Sequence, residues 1–194
     1  KWRTLITFDL LSGLRRSELL GLRWEDVNID TQTIAVRQTW NYTPRKGTYA
    51  STPKTSKSRR PLKLPRSVFL LLLEYQRWQD KQRCAMGDAW EDIDGRVFTT
   101  ELGAPIFPDS ITAWFSKFIA RSGLPKVTVH SLRHTYASLM IADGTPLVVV
   151  SKALGHAQPS TTANIYAHVI ASAEAKAMET FDRFDDVVAV KKAE

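Results

Sequence analysis

Residues 128–169 of the chain read TVHSLRHTYASLMIADGTPLVVVSKALGHAQPSTTANIYAHV. The apolar spacing of this stretch predicts a helix over 130–142 and a short apolar helix over 146–154, each followed by a glycine. A third, polar helix is predicted to begin at 160–162, where serine and threonine are good N-caps, and to carry Tyr166. The polar residues of this stretch are therefore the first candidates for a functional site.

Four side chains of this stretch suit chemistry on a phosphodiester. Arg133 and the histidines His130 and His156 can hold a phosphate group, and Tyr166 can attack it as a nucleophile. His130 and Arg133 fall in the first turn of their predicted helix, where the helix dipole already favours an anion. The residues therefore predict nucleophilic attack by a tyrosine on a phosphodiester.

A zinc site is the competing interpretation of His130 and His134, which lie four residues apart on one helical face. The metalloprotease form of that pair needs a glutamate where Ser131 stands, and Arg133 between the histidines would repel a cation. We therefore predict no metal here. His134 by itself is typical of a core histidine, and we leave it outside the predicted site.

The composition favours a polyanionic partner and a reducing environment. The chain has 194 residues, enough for one domain with a sizeable core, and a formal net charge of +7. Its single cysteine, Cys84, excludes a disulfide within the chain. The sequence shows neither a signal peptide nor an apolar run long enough to cross a bilayer, so we expect a cytoplasmic protein.

Positive charge is concentrated in one segment of the chain. Between Asp30 and Glu74 the sequence contains no acidic residue, and a basic segment without counter-charges predicts a surface that faces phosphates. The tail after Tyr166 is acidic and predicts contact with protein or solvent instead. The basic residues of the segment are Arg37, Arg45, Lys46, Lys54, Lys57, Arg59, Arg60, Lys63 and Arg66.

The remaining patterns predict a mainly α fold with a small antiparallel β-sheet, of the α+β class. Alternating residues predict strands at 33–37 and 60–64, so that the sheet occupies about residues 27–64. The further predicted helices span 2–12, about 16–27, 67–86 and 110–120.

Two motifs make the chain resemble the tyrosine recombinases, also called the phage integrase family. One is HSLRH at 130–134, together with LGH at 154–156 and Tyr166. The other is SGLRRSELLGL at 12–22, which is similar to the family's first signature box. The resemblance extends over essentially the whole chain up to Tyr166, and the long connection between the strands is similar to that of phage and mobile-element integrases.

The resemblance implies a catalytic set. The two arginines would pair with the non-bridging oxygens of the phosphate, and the tyrosine would form a 3′-phosphotyrosine. His130 would take the proton of the tyrosine, and His156 would donate a hydrogen bond to the phosphate. The implied residues are Arg15, Lys54, His130, Arg133, His156 and Tyr166, with Glu18 in support of Arg15.

The basic connection between the strands is expected to face the DNA. Lys54 is implied as the general acid that protonates the leaving 5′ oxygen, and Lys57 is the alternative assignment. Lys57, Arg59 and Arg60 are predicted to bind DNA.

The implied reaction needs neither a metal nor a nucleotide cofactor, because cationic side chains supply the charge and one phosphodiester-type link replaces another. The expected partners are double-stranded DNA attachment sites and accessory DNA-bending or directionality factors, without a membrane. The chain is expected to be a monomer when free and a homotetramer on DNA. Its expected location is the cytoplasm of a bacterial host, at the nucleoid when bound to DNA.

The predicted domain organisation is a catalytic domain over 1–169 and a C-terminal helix and tail over 170–194 that neighbouring protomers exchange. Because the chain begins inside a helical pattern, we expect an upstream DNA-binding domain that this chain lacks. Two alternatives stay open. A type IB topoisomerase uses similar chemistry, although the residues of the HSLRH and LGH motifs argue against it. A non-catalytic DNA-binding module would not need the intact catalytic set.

Overall fold

The computed structural model describes residues 1–53 and 58–175, and it confirms the predicted mainly helical fold with small antiparallel sheets. The helices are α1 (Trp2–Ser12), α2 (Arg16–Gly21), α3 (Arg66–Met86), α4 (Pro108–Ser122), α5 (Val129–Ala142), α6 (Leu147–Leu154) and α7 (Pro159–Ile165), with single 3-10 turns at Trp24–Asp26 and Gly87–Ala89. Residues 167–175 are also helical.

The strands form two sheets, where the sequence predicts one. Strands β1, β2 and β5 make a three-stranded antiparallel sheet in which Ile34 pairs with Leu62, and both side chains are buried. Strands β3 and β4 pair as a separate two-stranded ribbon inside what the sequence indicated as a connection. The strands are β1 (Val27–Asn28), β2 (Thr33–Val36), β3 (Thr39–Thr43), β4 (Gly47–Ser51) and β5 (Arg60–Lys63).

Two clusters of buried side chains make up the core. The larger one joins α1, α3, α4 and the three-stranded sheet around Phe8, Phe69 and Ile111. The smaller one joins α5 and α6 to the end of α7, and it contains Leu154 and Tyr166. The stretch 128–169 thus builds a core of its own, and Tyr166 is part of it.

Two predicted helix boundaries are wrong. The second helix was expected to reach about residue 27, but α2 ends at Gly21, where a side chain would lie 2.8 Å from the carbonyl oxygen of Gln38 because the chain before β3 passes close by. Tyr166 was expected within a helix, but it lies just after α7, whose N-cap is Gln158. The side chain of Tyr166 is 2% exposed and belongs to the smaller core.

Some predictions fall outside the described residues: Lys54, Lys57 and the tail from residue 176 onward. Within the described ranges, the helices are too short or too polar to cross a membrane.

Candidate active site

The turn between α1 and α2 presents Arg15. Gly13 ends α1 in the left-handed region, with φ of 61°, and donates its backbone N–H to the carbonyl of Asp9. A side chain at position 13 would collide with the ring of Tyr136 on α5, so glycine is required by the close approach as well as by the backbone angle. Arg15 then occupies the N-cap position of α2 in an extended conformation.

Glu18 holds Arg15 through both of its carboxylate oxygens. Oε2 accepts the backbone N–H of Arg15 at 3.0 Å, and Oε1 accepts a hydrogen bond from its Nη1 at 2.7 Å. Burial by itself would raise the pKa of Glu18, but the hydrogen bonds and charges of Arg60 and Arg15 outweigh burial and hold that pKa below its ordinary value. Glu18 is therefore an anion at neutral pH.

Arg133 is buried at 4% exposure and ties two turns of the chain together. Its Nη1 donates to the carbonyl oxygen of Gly13 at 2.6 Å, and its Nη2 donates to that of Leu154, also at 2.6 Å. Burial and the nearby charge of Arg15 lower the pKa of Arg133 to about 10, so the guanidinium stays charged at neutral pH.

The carboxyl end of α6 is where the arginines meet. The last carbonyls of a helix have no partner within the helix and carry a partial negative charge, so they attract cations. Here three consecutive carbonyls accept from three guanidiniums: Ala153 from Arg60 Nε at 2.6 Å, Leu154 from Arg133 Nη2 at 2.6 Å, and Gly155 from Arg15 Nη2 at 3.2 Å. We call Arg15, Arg60 and Arg133, together with Glu18, the arginine cluster.

His156 follows the same helix end. Gly155, with φ of 66°, turns the chain, and Nδ1 of His156 lies 2.8 Å from Oγ1 of the fully buried Thr162. Burial, and then the charges of Arg133, Arg15 and Arg60, lower the pKa of His156 to about 4. The imidazole is therefore neutral at physiological pH, and when Thr162 donates to Nδ1 the proton sits on Nε2, where it can be donated to a ligand.

Tyr166 is 2% exposed, and its hydroxyl lies 3.0 Å from Nδ1 of His134. Burial raises the pKa of the phenol, and the charge of Arg133 opposes that rise. The sequence-based interpretation missed His134, which it assigned to the core. The HSLRH motif contained the signal, because its two histidines lie one helical turn apart and either could face the tyrosine.

His130 contacts His134 rather than Tyr166. The two imidazoles meet edge to face with ring centroids 4.8 Å apart, and His130 itself is exposed. Burial of part of the ring, followed by electrostatic interactions with His134, Arg133 and Arg15, lowers the pKa of His130. The described contacts thus form a series from Tyr166 through His134 to His130.

The two arginines that were predicted to bind DNA differ in their exposure to solvent. Arg59 is exposed, whereas Arg60 is 5% exposed and bonded to protein groups. A guanidinium enclosed in this way offers little of its surface to a DNA backbone, so DNA binding by Arg60 stays a prediction that its burial disfavours. Sequence charge did not distinguish the two neighbours, because only the packing of the start of β5, where Arg60 pairs with Val36, shows that Arg60 is buried.

Asp9 is a second residue that the sequence-based interpretation missed. It is 1% exposed on α1, and its Oδ1 lacks a hydrogen-bond partner among the described residues. Burial raises the pKa of Asp9 to about 8 against the opposing charge of Arg133. At neutral pH the carboxyl is mostly protonated, so it does not reduce the positive charge of the arginine cluster beside it.

A groove of about 380 Å³ opens beside the arginine cluster. It is bordered by Arg15 and Gly155 on one side and by Asn41 and Tyr49 of the ribbon on the other. The side chain of Arg15 is 38% exposed, in contrast to the buried Arg133. An anionic ligand in this groove would contact Arg15 directly and feel the positive field of the cluster behind it.

Comparison with known proteins agrees with these motifs. The sequence profile of the Phage integrase family matches residues 1–172. The chain belongs to the phage integrase family, the tyrosine recombinases. Within this family the chain is 36% identical over 181 residues to a tyrosine recombinase XerC-like protein of Caldanaerobacter subterraneus, covering 88% of this chain and 46% of that protein. It is 26% identical to the ICEBs1 integrase of Bacillus subtilis, covering 96% and 49% respectively.

Solved structures of tyrosine recombinases share the fold. The Tn1549 transposon integrase in complex with transposon right end DNA matches with a TM-score of 0.77 and 22% identity, covering 92% of this chain and 58% of that one. The same integrase in complex with a circular intermediate DNA matches with a TM-score of 0.73 and 26% identity, covering 90% and 58%. The chain spans about half the length of the relatives it matches in sequence.

Proposed function

We propose that this chain is the catalytic domain of an integrase-type site-specific DNA recombinase that breaks and rejoins strands through a 3′-phosphotyrosine. The observation that carries the proposal is the convergence around the ends of α6 and α7: two charged guanidiniums, a neutral histidine, and a tyrosine whose hydroxyl contacts another histidine. Nucleophile, base and charge stabilisers are thereby within one small region of the fold.

Charge stabilisation is the role we assign to Arg15, Arg133 and His156. A phosphodiester under attack gains negative charge on its non-bridging oxygens, and donors already fixed in place stabilise that charge without reorganising. Arg133 is fixed by two carbonyls and Arg15 by Glu18, while the exposed part of Arg15 faces the groove. His156 donates from Nε2.

Activation of the nucleophile is the role we assign to His134, with His130 behind it. The phenol O–H of Tyr166 donates to Nδ1 of His134, so the proton leaves along an existing hydrogen bond as the tyrosine oxygen attacks phosphorus. The P–O5′ bond breaks in the same step, and Lys54, or Lys57 in the alternative register, gives a proton to the departing 5′ oxygen. Attack by a second 5′ hydroxyl reverses the sequence, so neither a metal nor a nucleotide cofactor is required.

Double-stranded DNA attachment sites are the proposed substrate. A relative of 26% identity, the Tn1549 integrase, has been solved in complex with a circular intermediate DNA, which supports this choice. We further propose that residues 1–169 form the catalytic domain, that an upstream domain binds DNA, and that the monomer assembles into a tetramer on DNA through residues 170–194. Accessory DNA-bending or directionality factors complete the proposed set of partners.

A covalent-capture experiment tests the proposal and finds the DNA site at once. The chain is incubated with a pool of nicked duplexes randomised around the nick, and DNA that remains attached under denaturing conditions is recovered and sequenced. The wild-type chain is expected to enrich a site, and Tyr166→Phe is expected to capture nothing, because it lacks the attacking oxygen. Tyr75→Phe, which removes a buried hydroxyl on α3, is the matched control and is expected to capture normally. Capture by the Tyr166 variant would refute the proposal.

A further inference from the structure

Arg60 is surrounded by protein acceptors from three parts of the fold. Its Nε donates to the carbonyl oxygen of Ala153 at 2.6 Å, and its Nη1 donates to that of Ser58 at 2.9 Å. Nη1 and Nη2 also reach the two oxygens of Glu18, each at 3.2 Å. The guanidinium thus connects the start of β5 to α2 and to the end of α6.

Glu18 is shared between Arg60 and Arg15, and that sharing determines where Arg15 points. Each carboxylate oxygen accepts one hydrogen bond from Arg15 and one from Arg60. A carboxylate that lost Arg60 would have acceptor capacity left over, and the fork of Arg15 would satisfy it by forming a two-bond pair. Arg15 would then be drawn away from Gly155 and from the groove.

Arg60 also fixes the turn that carries His156. It holds the carbonyl of Ala153, three residues before the histidine, and a side chain at position 155 would lie 2.6 Å from its Nη1. The guanidinium therefore packs against the backbone of the α6 end as well as bonding to it. Loss of Arg60 would leave a hole under the turn and a buried carbonyl without its donor.

We propose that Arg60 is a positioning residue for strand cleavage, which acts through Glu18 on Arg15 and through the end of α6 on His156 without touching DNA. The inference rests on the proposed function. It assigns opposite tasks to two adjacent arginines, since the exposed Arg59 remains a candidate for contact with the DNA backbone.

The two arginines are compared as Arg59→Gln and Arg60→Gln, on the nicked duplex that the wild-type chain captures. For Arg60→Gln we expect single-turnover cleavage at saturating DNA to fall by about tenfold or more, since donors aimed at the developing charge are displaced. Its DNA affinity and the salt dependence of that affinity should change far less than its cleavage rate, because Arg60 itself is enclosed by protein groups. For Arg59→Gln the negative slope of log affinity against log salt should become shallower by about 0.9, the value for one phosphate contact on duplex DNA.

Arg60→Lys separates charge from geometry. Lysine keeps the positive charge but has no planar fork, so it cannot serve Glu18, Ser58 and Ala153 together. We expect Arg60→Lys to cleave as slowly as Arg60→Gln. A wild-type cleavage rate for Arg60→Lys would overturn the inference. So would an Arg60→Gln variant whose DNA affinity becomes less dependent on salt while its cleavage rate at saturating DNA stays at the wild-type value.

A double variant covers the case in which the single one does not fold. Removing Arg60 alone leaves the buried carboxylate of Glu18 without one of its ion-pair partners, whereas Arg60→Gln combined with Glu18→Gln removes both charges. Because the route through Glu18 is lost in either single variant, the double variant should lose less rate than the product of the two single losses. Rate losses that multiply, or a wild-type rate, would overturn the coupling. A wild-type chain that captures no DNA would refute the proposed function itself, which is a different result.

Discussion

The arginine cluster at the end of α6 and the tyrosine at the end of α7 are held in very different ways. Each guanidinium of the cluster bonds to at least two protein acceptors that lie on separate elements. For Tyr166, the described residues provide one polar side-chain contact, to His134, and an apolar setting that includes Leu154. Several hydrogen bonds thus hold each guanidinium of the cluster, whereas one side-chain contact among the described residues holds the hydroxyl of Tyr166.

This difference fits the tasks that we propose for the two regions. Donors that stabilise a transition state act best when they need not reorganise, which favours a rigid cluster. A nucleophile must instead approach phosphorus while it gives up its proton, so a single hydrogen bond, to the proton acceptor, is an advantage. Loss of a cluster arginine should therefore slow cleavage more than loss of a contact around the histidines.

Removal of Arg133 should have the largest effect on rate. Arg133→Ala takes away a fixed positive charge, and we expect single-turnover cleavage to fall by about 10²- to 10³-fold. The buried carbonyls of Gly13 and Leu154 also lose their donors, which should lower the free energy of unfolding by about 1–3 kcal/mol for each. Gel assays of cleavage and denaturant unfolding measure the two effects. Arg121→Ala on the surface of α4 is the control, and a near-normal rate for Arg133→Ala would remove it from the site.

Substitution of the histidine that contacts the nucleophile should come next. His134→Gln keeps a polar group next to the tyrosine but cannot accept its proton, and we expect a rate loss of about 10²-fold. His130→Gln should cost less, because His130 meets the tyrosine only through His134 in the described contacts. The measurement is the single-turnover rate of both variants. A larger loss for His130→Gln would show that the base is the residue the sequence motif indicated.

Removal of the hydroxyl behind His156 should have a moderate effect. Thr162→Val preserves volume but loses the hydrogen bond to Nδ1, so the imidazole no longer has a fixed tautomer. One net hydrogen bond of about 1 kcal/mol corresponds to a rate loss of about fivefold. Thr161→Val, at the exposed neighbouring position, is the matched control and should cleave normally. Equal rates for the two variants would mean that Thr162 only packs.

Asp9→Asn should affect stability more than rate. The folded pKa of about 8 lies well above that of an unfolded aspartate, so the native chain keeps a proton that the unfolded chain loses from about pH 4 upward. The free energy of unfolding of the wild type should therefore fall between about pH 4 and about pH 8. Asparagine should flatten that slope and change cleavage at neutral pH by less than about threefold.

Denaturant titrations across this pH range provide the measurement for Asp9. The exposed Asp80→Asn on α3 is the control and should keep the wild-type slope. An unchanged slope in Asp9→Asn would show that the carboxyl ionises normally in the fold.

The sequence predicted the helix ends beside the site better than the side-chain contacts within it. The glycines at 13 and 155 marked helix ends correctly, since both have left-handed backbone angles that other residues rarely adopt. The family resemblance implied Arg15, Arg133, His156 and Tyr166, and the structure places these four residues around the ends of α6 and α7. The contact between His134 and Tyr166 was missed, because whether a histidine packs or reacts depends on what another helix places against it.

Burial was the property that sequence patterns could not resolve. Arg59 and Arg60 read alike as basic residues, and only the pairing of β5 with β2 determines which one turns inward to Glu18. Asp9 interrupts an apolar helix face, a signal that sequence analysis can detect, yet its shifted pKa depends on desolvation that only the packed structure defines. The two-sheet arrangement was likewise hidden, since the ribbon lies in a segment rich in turn-forming residues.

The most direct test of the account is to locate the covalent bond between the wild-type chain and its DNA. Captured complexes are digested with nuclease and trypsin, and the modified peptide is sequenced by mass spectrometry. Cleavage after Lys152 and Lys176 releases a peptide over residues 153–176 that contains Tyr166 and no other tyrosine. The account predicts a nucleotide joined through its 3′ phosphate to Tyr166. A nucleotide on any other residue, or one joined through its 5′ phosphate, would contradict it.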